Sequence, residues 1–334
     1  RRPGGLAVSG RQLDEDDVRV KRGRSTRPRS KQRPAHEDAV DAFVVTIDRG
    51  RITCALSANP DTEVVAVKAR ELGRKAVTVG DDVGLVGDLS GRPDTLARLV
   101  RIDPRRTELR RTADDSDPYE RIIVANVDQM GIVVAVADPP PRIGLIDRCL
   151  VAAYDARVDP LLVLTKVDLG DPAELLAAYR DLDVEAVAVT RGGSLEELTA
   201  HLRDRVSVFV GHSGVGKSTL VNALIPDAAR ATGGVNQSTG RGRHTSTSAQ
   251  ALALPFGGWL IDTPGVRSFG LAHVERQRVV DGFDDLAEGT ANCPRSCSHD
   301  EPDCGLDQWC EEGHASAARL ESLRRILRAI DDSH

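Results

Sequence analysis

Aromatic side chains are scarce in this chain: five Phe, three Tyr and two Trp among 334 residues, 3% of the total. From Val44 to Pro118 there is no Phe, Tyr, Trp or His at all. A nucleic acid held by that stretch would find no aromatic platforms for its bases, so Arg and Lys would have to grip it through phosphates and shape. Runs of about 18 apolar residues are also missing, so no membrane-spanning helix is expected. The N-terminus is polar and arginine-rich, without the apolar stretch of a secretory signal, and a cytoplasmic location is expected. Disulfides are not expected there. Of the six Cys, Cys54 and Cys149 stand alone, whereas Cys293, Cys297, Cys304 and Cys310 cluster, which favours metal binding.

The length exceeds one ordinary domain. Net charge is only −6, but residues 1–112 hold 24 Lys and Arg against 17 Asp and Glu, a surplus of +7, and the remainder holds 21 against 34, a deficit of −13. A basic front half on an acidic protein points to a polyanionic partner. Residues 1–38, with Arg19-Val20-Lys21-Arg22-Gly23-Arg24 and the run from Arg27 to Arg33, read as a disordered basic tail that either contacts RNA or only solubilises the chain. Over 39–112 the pattern turns to short β-rich runs: Phe43–Ile47, Arg51–Leu56, Val64–Ala69, Ala76–Val79, Val83–Val86 and Leu96–Ile102. That suits a small barrel of the OB type serving as an RNA-binding domain, with Arg101, Arg105, Arg106, Arg110 and Arg111 as candidate phosphate contacts.

Thr112–Pro118 reads as a linker, after which strands and helices alternate over 113–275, the pattern of an α/β domain with a mainly parallel sheet. Its expected strands begin with Ile122–Asn126 and Ile132–Ala137. The final segment, 276–334, holds the Cys cluster and an expected helix over 314–331. Leu320, Leu323, Ile326, Leu327 and Ile330 form one stripe on that helix, either packed into a core or presented to a partner.

Chemistry concentrates in Gly211-His212-Ser213-Gly214-Val215-Gly216-Lys217-Ser218-Thr219, which follows the apolar run Val206–Val210 and leads into a helical pattern. Strand, glycine-rich turn and helix come in the order of a phosphate-binding loop. Its backbone N–H groups and helix N-terminus receive phosphates, Lys217 reaches the β/γ-phosphates, and Ser218 offers its hydroxyl to Mg²⁺. Downstream, the apolar strand Trp259–Ile261 ends in Asp262-Thr263-Pro264-Gly265, supplying a carboxylate to the Mg²⁺ shell and the Gly265 N–H to the γ-phosphate. Between them the Gly-, Arg- and Thr-rich stretch Thr239–Thr247 suits a loop ordered by nucleotide, with Thr245, or alternatively Thr247, on Mg²⁺ and the γ-phosphate. Leu161–Leu164 is an apolar strand followed by Thr165-Lys166-Val167-Asp168. A buried carboxylate at Asp168 would accept from N1–H and N2–H₂ of guanine; adenine offers neither donor there and would leave it unpaired. Lys166 would lay its stem over the base.

Ordinary GTPases place the phosphate loop first and the guanine motif last. Here Thr165–Asp168 precedes Gly211–Thr219, which precedes Thr245 and Asp262–Gly265. The same parts in rotated order describe a circularly permuted GTPase. Further on, Cys293, Cys297, His299 and Cys304 provide three thiolates and an imidazole, a closed tetrahedral set for structural Zn²⁺, with Cys310 able to replace one ligand. The expected architecture is thus an OB-like barrel, a permuted α/β P-loop GTPase domain and a C-terminal zinc-binding domain with helices.

These features together resemble the RsgA (YjeQ) family of circularly permuted GTPases that act on the small ribosomal subunit. The resemblance covers about residues 40–330 and rests on Asn126-Val127-Asp128-Gln129, Thr165–Asp168, Gly211–Thr219, Gly242-Arg243-His244-Thr245 and Asp262–Gly265. The zinc signature departs from the family's usual one, with gaps of three and four residues in place of four and five. What the resemblance implies is late maturation of the small subunit, with GTP hydrolysed to GDP and phosphate, turnover stimulated by the subunit, and the subunit and its ribosomal RNA as partners. It also implies GTP/GDP and Mg²⁺ at the nucleotide loop and one structural Zn²⁺. A monomer is expected. Val266 stands where Ras-like enzymes have a water-orienting Gln, so slow intrinsic turnover is expected, and His244 is the candidate to position the attacking water. Two readings compete with this: an RNA-binding scaffold using nucleotide only as a conformational switch, and a metabolic P-loop ATPase, against which Asp168 argues.

Overall fold

The computed structural model describes residues 36–73, 76–112, 120–182, 184–226, 249–263, 271 and 274–331, all within one of the two units into which the chain divides, 36–334. The predicted tail lies outside them, apart from its last residues.

The β-rich runs close into a five-stranded barrel. Strands β1 (Val40–Asp48), β2 (Arg51–Leu56) and β3 (Asn59–Lys68) form an antiparallel meander. β3 then pairs parallel with β5 (Ala97–Ile102), β5 antiparallel with β4 (Asp82–Gly87), and β4 antiparallel with β1. The circuit β1-β2-β3-β5-β4-β1 leaves no unpaired edge on most of its length, which is how an all-β unit this small avoids edge-to-edge association. Its interior is aliphatic: Val44, Ile52, Val64, Val83, Leu85 and Leu99 are buried together. Of the expected strands, Ala76–Val79 does not form; it is loop, touching β structure only at a parallel bridge from Val79 to Val124. The buried carboxylate of Asp81 explains this, because it takes the Thr78 N–H at 2.7 Å and holds the segment in a turn.

A second departure concerns Ile122–Asn126. β7 (Glu120–Ala125) does not enter the α/β sheet; it pairs antiparallel with β6 (Glu108–Thr112) as a two-stranded ribbon. Asn126, in a left-handed conformation (φ 55°), ends the strand. Its side-chain amide donates to the Gly80 carbonyl at 3.0 Å and its oxygen accepts the Arg106 N–H at 2.8 Å, tying the ribbon to the barrel. Asp128 then fastens the ribbon's exit to the next sheet, accepting from the Val206 N–H at 2.9 Å and from the Arg106 guanidinium at 2.6 Å.

The α/β sheet has the order β10 (Glu185–Val189), β9 (Asp159–Thr165), β8 (Gln129–Ala135), β11 (Val206–Val210), β13 (Trp259–Asp262) and β12 (Gln250–Ala253). All neighbours are parallel except β12 with β13. All seven residues of β8 are buried, as expected of a strand covered on both faces. One face packs against α1 (Ile143–Asp155) and α2 (Ala173–Tyr179). The other packs against α3 (Glu196–Leu202) and α4 (Lys217–Leu224). β1 joins this sheet to the barrel by pairing with β12, and Phe43 stacks on Trp259 at 4.9 Å between ring centroids.

The C-terminal helix Ala317–Asp331 packs against α1. Leu320, Leu323, Ile326, Leu327 and Ile330 are all buried, so the stripe is core. At roughly 2 kcal/mol per aliphatic side chain, that contact is a large share of the segment's cohesion. Arg325 adds a polar anchor, donating to the Ala178 carbonyl at 3.0 Å and lying over the Tyr179 ring. A helix not singled out from sequence, Gly305–Glu311, lies between the Cys cluster and this one.

Candidate functional site

β9, β11 and β13 are parallel neighbours of β8 or of one another, so their C-terminal ends lie at one edge of the sheet. Ligands of open α/β sheets bind there. The ends carry, in order, Thr165–Asp168, Gly211–Thr219 and Asp262–Thr263, the predicted nucleotide motifs.

The phosphate loop turns because three glycines take positive φ: Gly211 at 147°, Gly214 at 84° and Gly216 at 97°. A Cβ at Gly211 would stand 2.3 Å from the Val133 carbonyl oxygen, so no other residue fits between β11 and β8. Val215 is buried and anchors the loop; Ser213, Gly214, Ser218 and Thr219 face solvent, and His212 is half-buried with Nδ1 2.8 Å from the Ser213 carbonyl. The Lys217 ammonium donates to the carbonyls of Gly211 and, at 3.0 Å, His212, so it lies across the loop's mouth. Burial pushes the Lys217 ammonium below the usual range and the Asp262 carboxyl above it, and each charge opposes the other's shift. A glycine-rich turn at a helix N-terminus, a lysine across its mouth, the exposed Ser218 hydroxyl and the Asp262 carboxylate at the next strand end are groups of the kind that a nucleotide phosphate with Mg²⁺ needs.

Thr165–Asp168 and the glycine-rich loop are joined directly. Thr165 is buried at the end of β9, and its hydroxyl donates to the Val215 carbonyl at 2.6 Å. Lys166, at φ 56°, donates from its ammonium to the Asp138 carbonyl in the Pro-rich turn after β8. Val167 is half-buried, and Asp168 is exposed rather than buried, pointing its carboxylate to solvent beside the loop. A segment overlooked in the sequence also reaches this edge: Thr190–Gly193 follows β10, whose Val189 pairs with Thr165. Two adjacent glycines at a strand end were the available signal. His244, Thr245 and Gly265 lie outside the described residues.

The Cys cluster assembles as a second centre. Donor atoms of Cys293, Cys297, His299 and Cys304 all lie within 4.8 Å of one another. Cys293 Sγ is 3.6 Å from His299 Nδ1 and 3.9 Å from Cys304 Sγ, and Cys304 Sγ is 3.9 Å from His299 Nδ1. A tetrahedron with Zn–S near 2.3 Å and Zn–N near 2.0 Å has edges of about 3.5–3.8 Å, so this donor set fits zinc. The His299 N–H points to Cys297 Sγ at 3.3 Å, and the His299 carbonyl accepts from Arg324 at 2.7 Å, while Arg324 also bridges to Asp307. These contacts fix the ligand loop to the C-terminal helix. Cys310 is not in the cluster; its sulfur faces the Ser316 carbonyl at 3.8 Å, so it replaces no ligand.

The barrel's candidate cations divide. Arg101 is paired with Asp41 and Asp103, and Arg105 is largely buried against Asp81 and Glu108. Arg106 and Arg110 are more than half exposed, although each also meets an acid.

Fold and motif order define a circularly permuted P-loop GTPase: the strand leading into Thr165–Asp168 precedes the strand leading into Gly211–Thr219, yet both occupy one parallel sheet. The RsgA GTPase family model matches residues 102–272. Relatives called small ribosomal subunit biogenesis GTPase RsgA include one from Pseudomonas fluorescens SBW25, 44% identical over 268 residues, 77% of this chain and 76% of that one. Another, from Pseudomonas aeruginosa LESB58, is 41% identical over 77% of each chain. Among solved structures, YjeQ from Thermotoga maritima is 27% identical at a TM-score of 0.65, covering 87% of this chain and 98% of its own. YloQ, a circularly permuted GTPase, shares the fold at 23% identity and a TM-score of 0.65. The chain belongs to the RsgA GTPase family and is a GTP-hydrolysing enzyme. No helix among the described residues is long and apolar enough to cross a membrane.

Proposed function

We propose that this GTPase binds the small ribosomal subunit, assists its late maturation, and hydrolyses GTP to GDP and phosphate faster when bound to it. Residues 39–112 act as the RNA-binding domain, 113–275 as the GTPase domain and 276–334 as the zinc-binding domain, with 1–38 as a basic tail; the protein works as a cytoplasmic monomer. Gly211–Thr219 cradles the phosphates, with Lys217 on the β/γ-phosphates. Ser218 and Thr245 hold Mg²⁺, near Asp262 and the Gly265 N–H. Thr165, Lys166, Val167 and Asp168 select guanine, with Asp168 moving from solvent onto the base edge. Mg²⁺, when bound, would neutralise charge building between the β- and γ-phosphates. His244 positions the water. One structural Zn²⁺ sits on Cys293, Cys297, His299 and Cys304.

The observation that supports this reading best is the 2.6 Å bond from the Thr165 hydroxyl to the Val215 carbonyl, because it ties the segment proposed to read the base to the loop proposed to hold the phosphates. The names of the relatives supply the ribosomal subunit. Hydrolysis of GTP and ATP by the purified protein, with and without small ribosomal subunits, tests it. GTP-selective turnover rising about tenfold or more with subunits is expected; equal use of ATP, or no stimulation, defeats the reading.

A further inference from the structure

Two arginines of the C-terminal helix reach across to the end of α2. Arg325 Nη1 donates to the Ala178 carbonyl at 3.0 Å, and Arg319 Nη1 donates to the Asp181 carbonyl, just past the helix, at 2.9 Å. The last carbonyls of a helix have no partner within it and lie at the negative end of its dipole, where cations are favoured. A helix as short as Ala173–Tyr179 is marginal alone, so its seat depends on contacts of this kind.

Arg325 also ties α2 to α1. Its Nε lies 3.4 Å from Asp147 Oδ2, and its guanidinium lies over the Tyr179 ring, 4.8 Å from the centroid. The Tyr179 hydroxyl in turn donates to Asp147 Oδ1 at 2.9 Å. Asp147 and Tyr179 are almost wholly buried, and among the described residues Arg325 is the cation paired with that carboxylate. Stranding a buried carboxylate is costly, so α1, α2 and the C-terminal helix share one anchor. Yet Arg325 Nε and Nη2 are buried without a hydrogen bond. Unmet donors make this a seat that is given up more easily than a saturated one.

The anchor bears on Thr165–Asp168 from both sides. Only four residues separate Asp168 from the start of α2 at Ala173. On the other side, the Lys166 ammonium donates to the Asp138 carbonyl, in the turn that leads into α1. We infer that Arg325 is a positioning residue for the guanine base: through α1 and α2 it holds Thr165–Asp168 in place, so the seat of the C-terminal helix sets how fast nucleotide leaves. Whatever draws that helix off α1 then speeds release without touching the nucleotide. This rests on the reading of Thr165–Asp168 as the base-holding segment.

The test uses the full chain and two readouts, taken well below the melting transition. One is the release rate of fluorescent GDP chased with excess unlabelled GDP. The other is the ratio of affinities for GDP and for inosine diphosphate, which lacks the N2 amino group that Asp168 would accept from. R325M should speed release about five- to tenfold and narrow the ratio, since a loosened segment reads that amino group less well. R325K keeps the charge and should fall between R325M and wild type, and Y179F should speed release about twofold. The double variant R325M/D147N strands no charge; it should match R325M in release while melting closer to wild type, so a folding defect cannot stand in for the effect. D168N measures base reading itself and should erase most of the preference for GDP. If it does, while R325M and the double variant keep wild-type release and ratio, Arg325 only stabilises the fold and the inference falls with the base reading intact. Faster release at an unchanged ratio also overturns it, because the helix then acts elsewhere than on the base segment. A D168N variant that keeps the wild-type preference defeats the base reading and this inference with it.

Discussion

Five arginines fall between Arg101 and Arg111, and a similar density of glycine and hydroxyl residues falls between Gly211 and Thr219, yet the two stretches behave differently. In the second, the turn itself is set by neighbours in sequence: positive-φ glycines shape it and the helix starts at Lys217. In the first, what three of the arginines can do is set largely by acids remote in sequence. Asp41 takes Arg101, Asp81 takes Arg105, and Asp128 holds Arg106. A motif whose chemistry is local survives reading as sequence. A cationic surface does not, because its free charge is what remains after tertiary pairing.

The C-terminal segment should show the largest effect, since with Zn²⁺ on the Cys293, Cys297, His299 and Cys304 set proposed above its cohesion would depend on a ligand. Structural zinc contributes on the order of 10 kcal/mol of apparent binding energy at neutral pH. Strong chelation, or Cys304→Ser, should release the Gly305–Glu311 region. Trp309, whose indole N–H donates to the Asp285 carbonyl at 2.8 Å, would report this as red-shifted emission in a Trp259→Phe background. GTP binding at the sheet edge should persist. Unchanged Trp309 emission with full loss of metal would show that hydrophobic packing of the last helix suffices alone.

Next comes Arg105→Ala. Asp81 is fully buried and bidentate to this guanidinium, at 2.6 and 3.1 Å, so removing the cation strands a carboxylate in the barrel. A loss of about 3–5 kcal/mol in unfolding free energy is expected. Arg157→Ala, by contrast, should change stability by less than about 0.5 kcal/mol, because the side chain is exposed and unpaired among the described residues. Denaturant unfolding of both variants measures the difference between a structural and an available arginine; equal losses would erase it.

At the phosphate loop the effect is on rate. Lys217→Ala should lower turnover about 100- to 1000-fold, the scale of removing one preorganised charge stabiliser. It should leave melting nearly unchanged, since among the described residues the Lys217 ammonium hydrogen-bonds only to the carbonyls of its own loop. Single-turnover hydrolysis together with a thermal melt separates the two readouts.

These cases show why some features were legible and others were not. The barrel, the parallel sheet and the buried stripe of the last helix follow from apolar period and turn residues, and their expected places differ by a few residues at most. Ala76–Val79 misled because its apolar alternation is that of a strand, while the carboxylate that bends it, Asp81, acts through tertiary contacts with Arg105. Ile122–Asn126 was readable as a strand but not as a ribbon strand, since pairing partners are not written in a strand's own residues. Cys310 and Cys304 are equal as letters, and only the fold separates a member of the donor cluster from a bystander. Asp168 shows another limit: the spacing suggests a buried carboxylate for a base edge, but the side chain is exposed in the free protein.

The smallest effect tests the junction of the two nucleotide loops. Thr165→Val keeps the shape of the side chain and the β-branched preference of a strand end, and removes only the hydroxyl. The Val215 carbonyl then loses its 2.6 Å donor in a buried setting, which costs about 1 kcal/mol of ordering for the phosphate loop. GTP affinity should fall about fivefold, and GDP affinity by a similar factor, because both nucleotides use the base loop and the β-phosphate. Melting should shift by only a few degrees. If the hydroxyl merely stabilised the fold, melting would drop and nucleotide affinity, measured below the transition, would not. Affinity falling without a matching loss of stability therefore identifies Thr165 as the residue that lets the base loop position the phosphate loop.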